Sequence, residues 1–189
     1  MGLGGLFKSI LSSNKTDVLA RYELLRAAVS GTMSKFYKAR DRETGKIVGL
    51  KILDPKKTEQ LEARFKGVEK PSEGEIAIQL KHPNLVETYE YGLTTSNEQY
   101  IIMEFLEGPG LNSLIIGRDS RLESELWPLL IQAAEAIAAV HAAGFIHRDI
   151  CPRNFVCSTD LKSLKLIDFG LTVPQHLIRF SLFTEPACF

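Results

Sequence analysis

The sequence predicts an α+β fold in two parts, a five-stranded antiparallel sheet carrying one helix and then a mainly helical portion. Three observations predict it. Strand-like runs recur at 22–29, 34–40, 46–53, 85–91 and 99–105, bounded by turn-forming residues. One helix interrupts them, opening at Ser72-Glu73-Gly74-Glu75. After Gly108-Pro109-Gly110 the pattern changes, and 126–143 reads as a long helix that is apolar nearly all round.

Taken in order, the polar stretch Ser12 to Asp17 separates a Gly-rich apolar leader from the first strand. Ser30-Gly31 and the cluster Asp41-Arg42-Glu43-Thr44-Gly45 turn the chain between the first three strands, so these form a meander. Residues 54–70 are charged and read as a loop with some helix; the helix after Pro71 runs to about Leu80, where His82-Pro83-Asn84 stops it. Leu85 to Tyr91 and Gln99 to Phe105 are strands around the polar turn Thr94 to Glu98. Within 126–143 only Gln132, Glu135 and His141 interrupt the apolar surface, which predicts burial on more than one side. Residues 145–157 and 163–168 alternate apolar runs with polar turns, and Val173 to Phe189 shows no clean period. The expected organisation is a leader at 1–19, a sheet domain at 20–106, a second part at 107–173 and a divergent tail at 174–189.

With 189 residues, 44% hydrophobic and 24% charged, the chain is long enough for a real core, which excludes disorder and fibrous structure. Its 23 basic and 23 acidic residues cancel, which removes the basic signature of a nucleic-acid binder. The distribution is uneven: 15 basic against 8 acidic groups over 1–70, 3 against 11 over 71–135 and 5 against 4 thereafter. A basic third beside an acidic third suits a cleft for a phosphorylated ligand. Cys151, Cys157 and Cys188 make neither CxxC pairs nor an even framework, so a reducing, cytoplasmic setting is expected. Gly2 to Leu11 is too short to span a bilayer and lacks a cleavage site, and Leu6 stands where a myristoylation signal needs Ser or Thr. It reads as a frayed leader, with contact at a membrane surface as the alternative.

The chemistry concentrates in His147-Arg148-Asp149-Ile150-Cys151-Pro152-Arg153-Asn154 and in Asp168-Phe169-Gly170, on the far side of a short apolar hairpin. A strand pair between Asn154 and Asp168 folds back on itself and brings an amide oxygen and a carboxylate to one end. Two hard oxygen ligands there suit Mg²⁺ together with phosphate oxygens. Asp149, five residues before Asn154, faces the same point and suits acceptance of a hydroxyl proton. The chain here resembles the eukaryotic-type (Hanks-type) Ser/Thr protein kinases in their bacterial style, whose motifs are H-R-D-L-x-x-x-N and D-F-G, over roughly residues 20–173.

That resemblance implies a protein-kinase-like fold, with a sheet-bearing N-lobe and an incomplete, mainly helical C-lobe. ATP and Mg are the implied cofactors and a protein substrate the implied partner. Lys51, closing Val48-Gly49-Leu50-Lys51, would hold the α- and β-phosphates. Glu73, nine residues before His82, would pair with Lys51, with Glu75 as the fallback. Asp149 is the implied catalytic acceptor, and Asn154 and Asp168 the metal ligands. Met103 looks like the gatekeeper, Glu104 and Leu106 would offer backbone groups to the adenine edge, and Phe36 and Val156 would be roof and floor, with Gly49 in place of the usual Ala. The phosphate loop, read over Val29 to Ser34, keeps only Gly31 of the family's three glycines.

Other departures bear on turnover. Cys151 stands where Ser/Thr kinases carry a Lys, and Arg153 occupies the place of a compensating Arg in tyrosine kinases. Nineteen residues follow Gly170 without a recognisable activation segment, so the faces bearing Leu126, Leu129, Leu130, Ile131, Ile137 and Val140 are expected to lack a partner. The expected function is Mg-assisted transfer of the γ-phosphoryl group of ATP to Ser/Thr hydroxyls. The alternative is a catalytically impaired kinase-like module that binds nucleotide or a partner, or an inactive truncated fragment.

Overall fold

A computed structural model describes residues 15–26, 29–30, 34–63 and 70–177. The chain divides into two compact units, one comprising residues up to Lys66 together with Thr88–Phe105, the other Gly67–Glu87 together with residues from Leu106 onward. The segment around the predicted helix at 72–80 therefore belongs to the second unit, not to a continuous 20–106 domain.

In the first unit the turn chemistry after Asp41 sets the register. The Asp41 carboxylate accepts the backbone N–H groups of Glu43 and Thr44 at 2.8 and 3.3 Å, which closes a hairpin between β3 (Ser34–Asp41) and β4 (Ile47–Leu53). Those bonds, with the Arg21 guanidinium 3.6 Å away, hold the carboxyl below its ordinary range against the opposing effect of burial. The predicted run 22–29 splits into β1 (Tyr22–Leu24) and β2 (Val29–Ser30), both pairing with β3. β6 (Gln99–Glu104) pairs with β4, and β5 (Thr88–Leu93) closes the sheet. The order is β1-β3-β4-β6-β5, an antiparallel path of five strands with β2 as a short sixth. Helix α1 (Val18–Arg21) precedes β1, and α2 (Pro55–Glu62) is the helix within the stretch 54–70, read from sequence as a loop with some helix.

One face of this sheet buries Val18, Tyr22, Ala39, Val48, Leu50, Tyr100 and Ile102. A polar clasp rims it. Arg21 donates to Glu90 at 2.9 Å and lies 5.0 Å from the centre of the Tyr22 ring, while the Tyr100 hydroxyl donates to Glu90 and meets the Thr16 hydroxyl at 3.0 Å. Burial and the Glu90 hydrogen bond push the Tyr100 phenol up to about 12.

In the second unit, α3 (Glu73–Ala77) is shorter than predicted but starts where expected. Ser72 accepts the Glu75 N–H while the Glu75 carboxylate accepts the Ser72 N–H at 2.7 Å, a reciprocal cap. Leu85 and Val86, read from sequence as the start of β5, leave that sheet. Leu166 N–H donates to Asn84 O at 2.8 Å and Val86 N–H to Leu166 O at 3.0 Å, so this segment runs beside β9 (Leu164–Leu166) instead. Asn84 is buried and donates to Leu164 O at 2.9 Å and to the Gln132 side chain at 3.0 Å. Gln132, one of the polar interruptions of the long helix, is thus the joint between that helix, the 82–84 turn and β9.

After α4 (Leu111–Ile116), the long helix α5 spans Leu122–Ala142 and carries Pro128 in its first turns. Two expectations are corrected: burial is on one side only, and Leu129 and Val140, expected to lack a partner, form with Ala136 that buried stripe, whereas Leu126, Leu130, Ile131 and Trp127 are 39%, 44%, 59% and 74% exposed. No helix among the described residues is long and apolar enough to cross a membrane. β7 (Phe145–Ile146) pairs with β10 (Val173–Pro174), and Gln175 N–H donates to Gly144 O at 2.9 Å, so the tail begins as part of the unit. The leader up to residue 14 and the tail beyond Leu177 lie outside the described residues.

Candidate active site

The hairpin of β8 (Phe155–Cys157) and β9 builds the site in the second unit. Phe155 faces Leu166, Val156 faces Lys165 and Cys157 faces Leu164. One further backbone bond, Ile167 N–H to Asn154 O at 2.8 Å, extends the ladder to its open end. Asn154 and Asp168 therefore flank that end, as the strand-pair reading of the sequence required.

Asn154 closes a single 3₁₀ turn, Pro152–Asn154, and is buried. Its Nδ2 donates twice to Asp149, to the backbone oxygen and to Oδ2, both at 2.8 Å. With the nitrogen so engaged, the carboxamide oxygen is the acceptor the group has left to offer. Asp168 adopts φ +63° and its Oδ1 accepts the Gly170 N–H at 3.2 Å. The donor set is hard oxygen on two side chains, which fits Mg²⁺ completing its shell with waters and phosphate oxygens. No cluster of three or more His, Cys, Asp or Glu side chains that could hold a metal by protein ligands alone is found among the described residues.

Sequence reasoning used His147 only as part of a motif, yet it organises the loop. It is 1% exposed, its Nδ1 accepts the Asp149 N–H at 3.3 Å, and its ring meets Phe169 edge-on at 5.6 Å. Burial lowers its pKa and favours the neutral ring that such packing needs. Thr172 completes the brace, its N–H donating to Phe169 O at 3.0 Å and its hydroxyl to His147 O at 3.5 Å. A fully buried Thr four residues after the Asp carries no signal in a single sequence.

Glu73 is the first residue of α3 and is buried, and Gly170 shows where its carboxylate lies. A Cβ at Gly170 would stand 3.3 Å from Glu73 Oε2 and 3.3 Å from Asp168 Oδ1. The missing side chain lets two acidic groups share one corner. Glu75, the fallback partner, has its carboxylate committed to the α3 cap. Cys151 is half-buried with its Sγ 3.9 Å from Asp149 Oδ1, and Arg153 is exposed. Val156 is half-buried on β8 and bridges Gly110, and Leu106 is half-buried.

The remaining predicted residues lie in the first unit. Lys51 is buried on β4, opposite Phe36 on β3 and Ile101 on β6. Gly49 faces Met103 in the same register, and Glu104 ends β6 opposite Val48. The Phe36 ring accounts for Gly49: a Cβ there would come within 2.8 Å of Phe36 Cζ and 3.1 Å of Met103 Cγ. Phe36 stacks on Phe105 with centroids 6.2 Å apart and planes 13° apart, and the Lys38 ammonium lies 4.6 Å from the Phe105 centroid. Gly31 lies outside the described residues.

A β-sheet unit with a buried strand lysine, and a second unit with an H-R-D loop and a D-F-G turn, are the features of the protein kinase class. Residues 22–177 match the model of the protein kinase domain. The chain belongs to that family. It is 35% identical over 153 residues to a probable serine/threonine-protein kinase of Clostridium perfringens, a match covering 80% of this chain and 21% of the relative. It is 32% identical over 158 residues to the serine/threonine-protein kinase cds1 of Schizosaccharomyces pombe, covering 83% of this chain and 34% of the relative. A CBL-interacting protein kinase of Oryza sativa subsp. japonica is 33% identical over 162 residues, with 85% and 36% covered. The matched stretch thus spans between a fifth and somewhat over a third of these curated relatives.

Proposed function

We propose that this chain carries the nucleotide-handling and catalytic-loop elements of a Ser/Thr protein kinase that moves the γ-phosphoryl group of ATP to a protein hydroxyl. The observation that carries this reading is the pairing of Asn154 with Asp149 at 2.8 Å, at the hairpin end that also presents Asp168. Bound Mg²⁺ would neutralise charge on the phosphates. Asn154 and Asp168 would hold the metal through oxygen, and Lys51 would bind the α- and β-phosphates. Asp149, held by Asn154 Nδ2 and by its own N–H to His147, orients the acceptor hydroxyl and takes its proton. Arg153, exposed beside the loop, supplies the cation that Cys151 lacks. A cytoplasmic setting belongs to the same proposal and is supported by the free thiols of Cys151 and Cys157.

Transfer of radiolabelled γ-phosphate from MgATP to a generic protein substrate, lost in Asp168→Ala, is the expected result. Absence of transfer from folded wild-type protein refutes the reading. The thiol at 151 favours one second reading, nucleotide binding without turnover, whose signature is a nucleotide-induced thermal shift with no transfer.

A further inference from the structure

The turn that carries Asp168 is braced from a residue that the kinase reading leaves unused. Lys70 Nζ donates to Gly170 O at 3.1 Å, across a hundred residues of sequence and in a part-buried setting. Pro71 follows Lys70, and Ser72 then caps α3 through its reciprocal bond with Glu75, so the chain just after Lys70 is tied to the start of that helix.

The turn needs such a brace. Asp168 sits at φ +63°, a left-handed conformation that Asp tolerates better than most residues but that persists only where surrounding contacts over-determine it. Phe169 anchors one side against His147, and the Gly170 and Thr172 N–H groups bond within the turn. The Gly170 carbonyl is where Lys70 attaches. A cation is a suitable donor there, because a charged ammonium makes a stronger bond to a carbonyl than a neutral group does, and the Glu73 and Asp168 carboxylates both lie 3.3 Å from where a Gly170 Cβ would stand.

We propose that Lys70 is a positioning residue, which fixes the orientation of the Asp168 carboxylate by tying the Gly170 carbonyl to the N-terminal shoulder of the helix bearing Glu73. The proposal rests on the reading of Asp168 as a metal ligand. Its first consequence is nevertheless readable in metal-free protein.

The test compares the 189-residue chain with its Lys70→Met and Lys70→Arg variants. Hydrogen exchange at the Gly170 and Thr172 amides is expected to speed up about tenfold in Lys70→Met, the loss of one charge-assisted hydrogen bond, and by about threefold or less in Lys70→Arg. Amides within α5 serve as the internal control and keep their rates. Mn²⁺ uptake in the presence of a non-hydrolysable ATP analogue, followed by electron paramagnetic resonance, is expected to need several-fold more metal in Lys70→Met and to be restored in Lys70→Arg. Unchanged exchange in Lys70→Met overturns the brace. Faster exchange with an unchanged Mn²⁺ midpoint overturns the positioning role, since a merely structural contact would behave in that way. If the wild-type chain takes up no Mn²⁺ with the analogue, the kinase reading of Asp168 fails, and exchange alone then decides the brace.

Discussion

Replacing Gly49 with Ala restores the residue that most kinases of this type resemble at that position, yet it is expected to harm this protein. The added methyl would lie 2.8 and 2.9 Å from two Phe36 ring carbons and 3.1 Å from Met103 Cγ. The ring cannot simply drift, because it stacks on Phe105. Small-to-large changes in packed settings cost about 1–3 kcal/mol, and an aromatic ring that can still tilt belongs in the lower half of that range, about 1–2 kcal/mol. In a chain of this size that corresponds to a fall in Tm of roughly 2–8 °C. Phe36→Val removes the obstacle. The double variant is therefore expected to be more stable than the sum of the single changes, with a coupling of about 1 kcal/mol or more. Urea denaturation of the four proteins, read by circular dichroism at constant m, measures that coupling. Additivity within about 0.3 kcal/mol, or a Gly49→Ala variant as stable as wild type, refutes the size-exchange argument.

Three further outcomes follow from the same structure. Ser72→Ala removes the helix cap before Glu73 and is expected to lower stability by about 1 kcal/mol, with Ser72→Asp retaining most of it; the midpoint of denaturant unfolding checks this. Tyr100 ionises at about 12 when folded and near ~10 when unfolded, so its contribution is complete below pH 10 and is lost as pH rises towards 12. Tyr100→Phe should flatten that alkaline limb of a stability–pH curve, and an unchanged limb would count against the buried phenol. Ile131→Lys, at a side chain 59% exposed, is expected to raise solubility while changing stability by no more than about 0.5 kcal/mol, as precipitation and thermal unfolding assays would report.

Period and turn chemistry made most of the sheet legible in the sequence. The Asp41 to Gly45 cluster located the β3–β4 hairpin, because a carboxylate followed by two accessible backbone N–H groups closes a turn locally. The Ser72 cap was equally local. Leu85 and Val86 were misassigned since their strand-like pattern is satisfied by β9, eighty residues later, and no local rule distinguishes the two partners. The apolar surface of α5 suggests burial on more than one side, whereas its fully buried residues, Leu129, Ala136 and Val140, lie on one stripe, which a single sequence cannot single out among apolar neighbours. Around the candidate site, the hairpin that sets Asn154 and Asp168 at one end is legible from the spacing of two short apolar runs after the H-R-D motif. The contacts of Lys70 and Thr172 are not legible, because each donates to a backbone carbonyl that any residue could supply. The exclusion of a side chain at Gly49 likewise depends on Phe36 lying across a strand pair.

Trp127 is the sole tryptophan of the chain, and its side chain stands 74% exposed on α5. Its indole already samples an aqueous surrounding in the native protein, so its emission maximum should shift little to the red when the chain denatures. The same exposure makes it a built-in optical sensor of contact: anything that settles over that helix should move the emission to the blue and shield it from quenching by iodide.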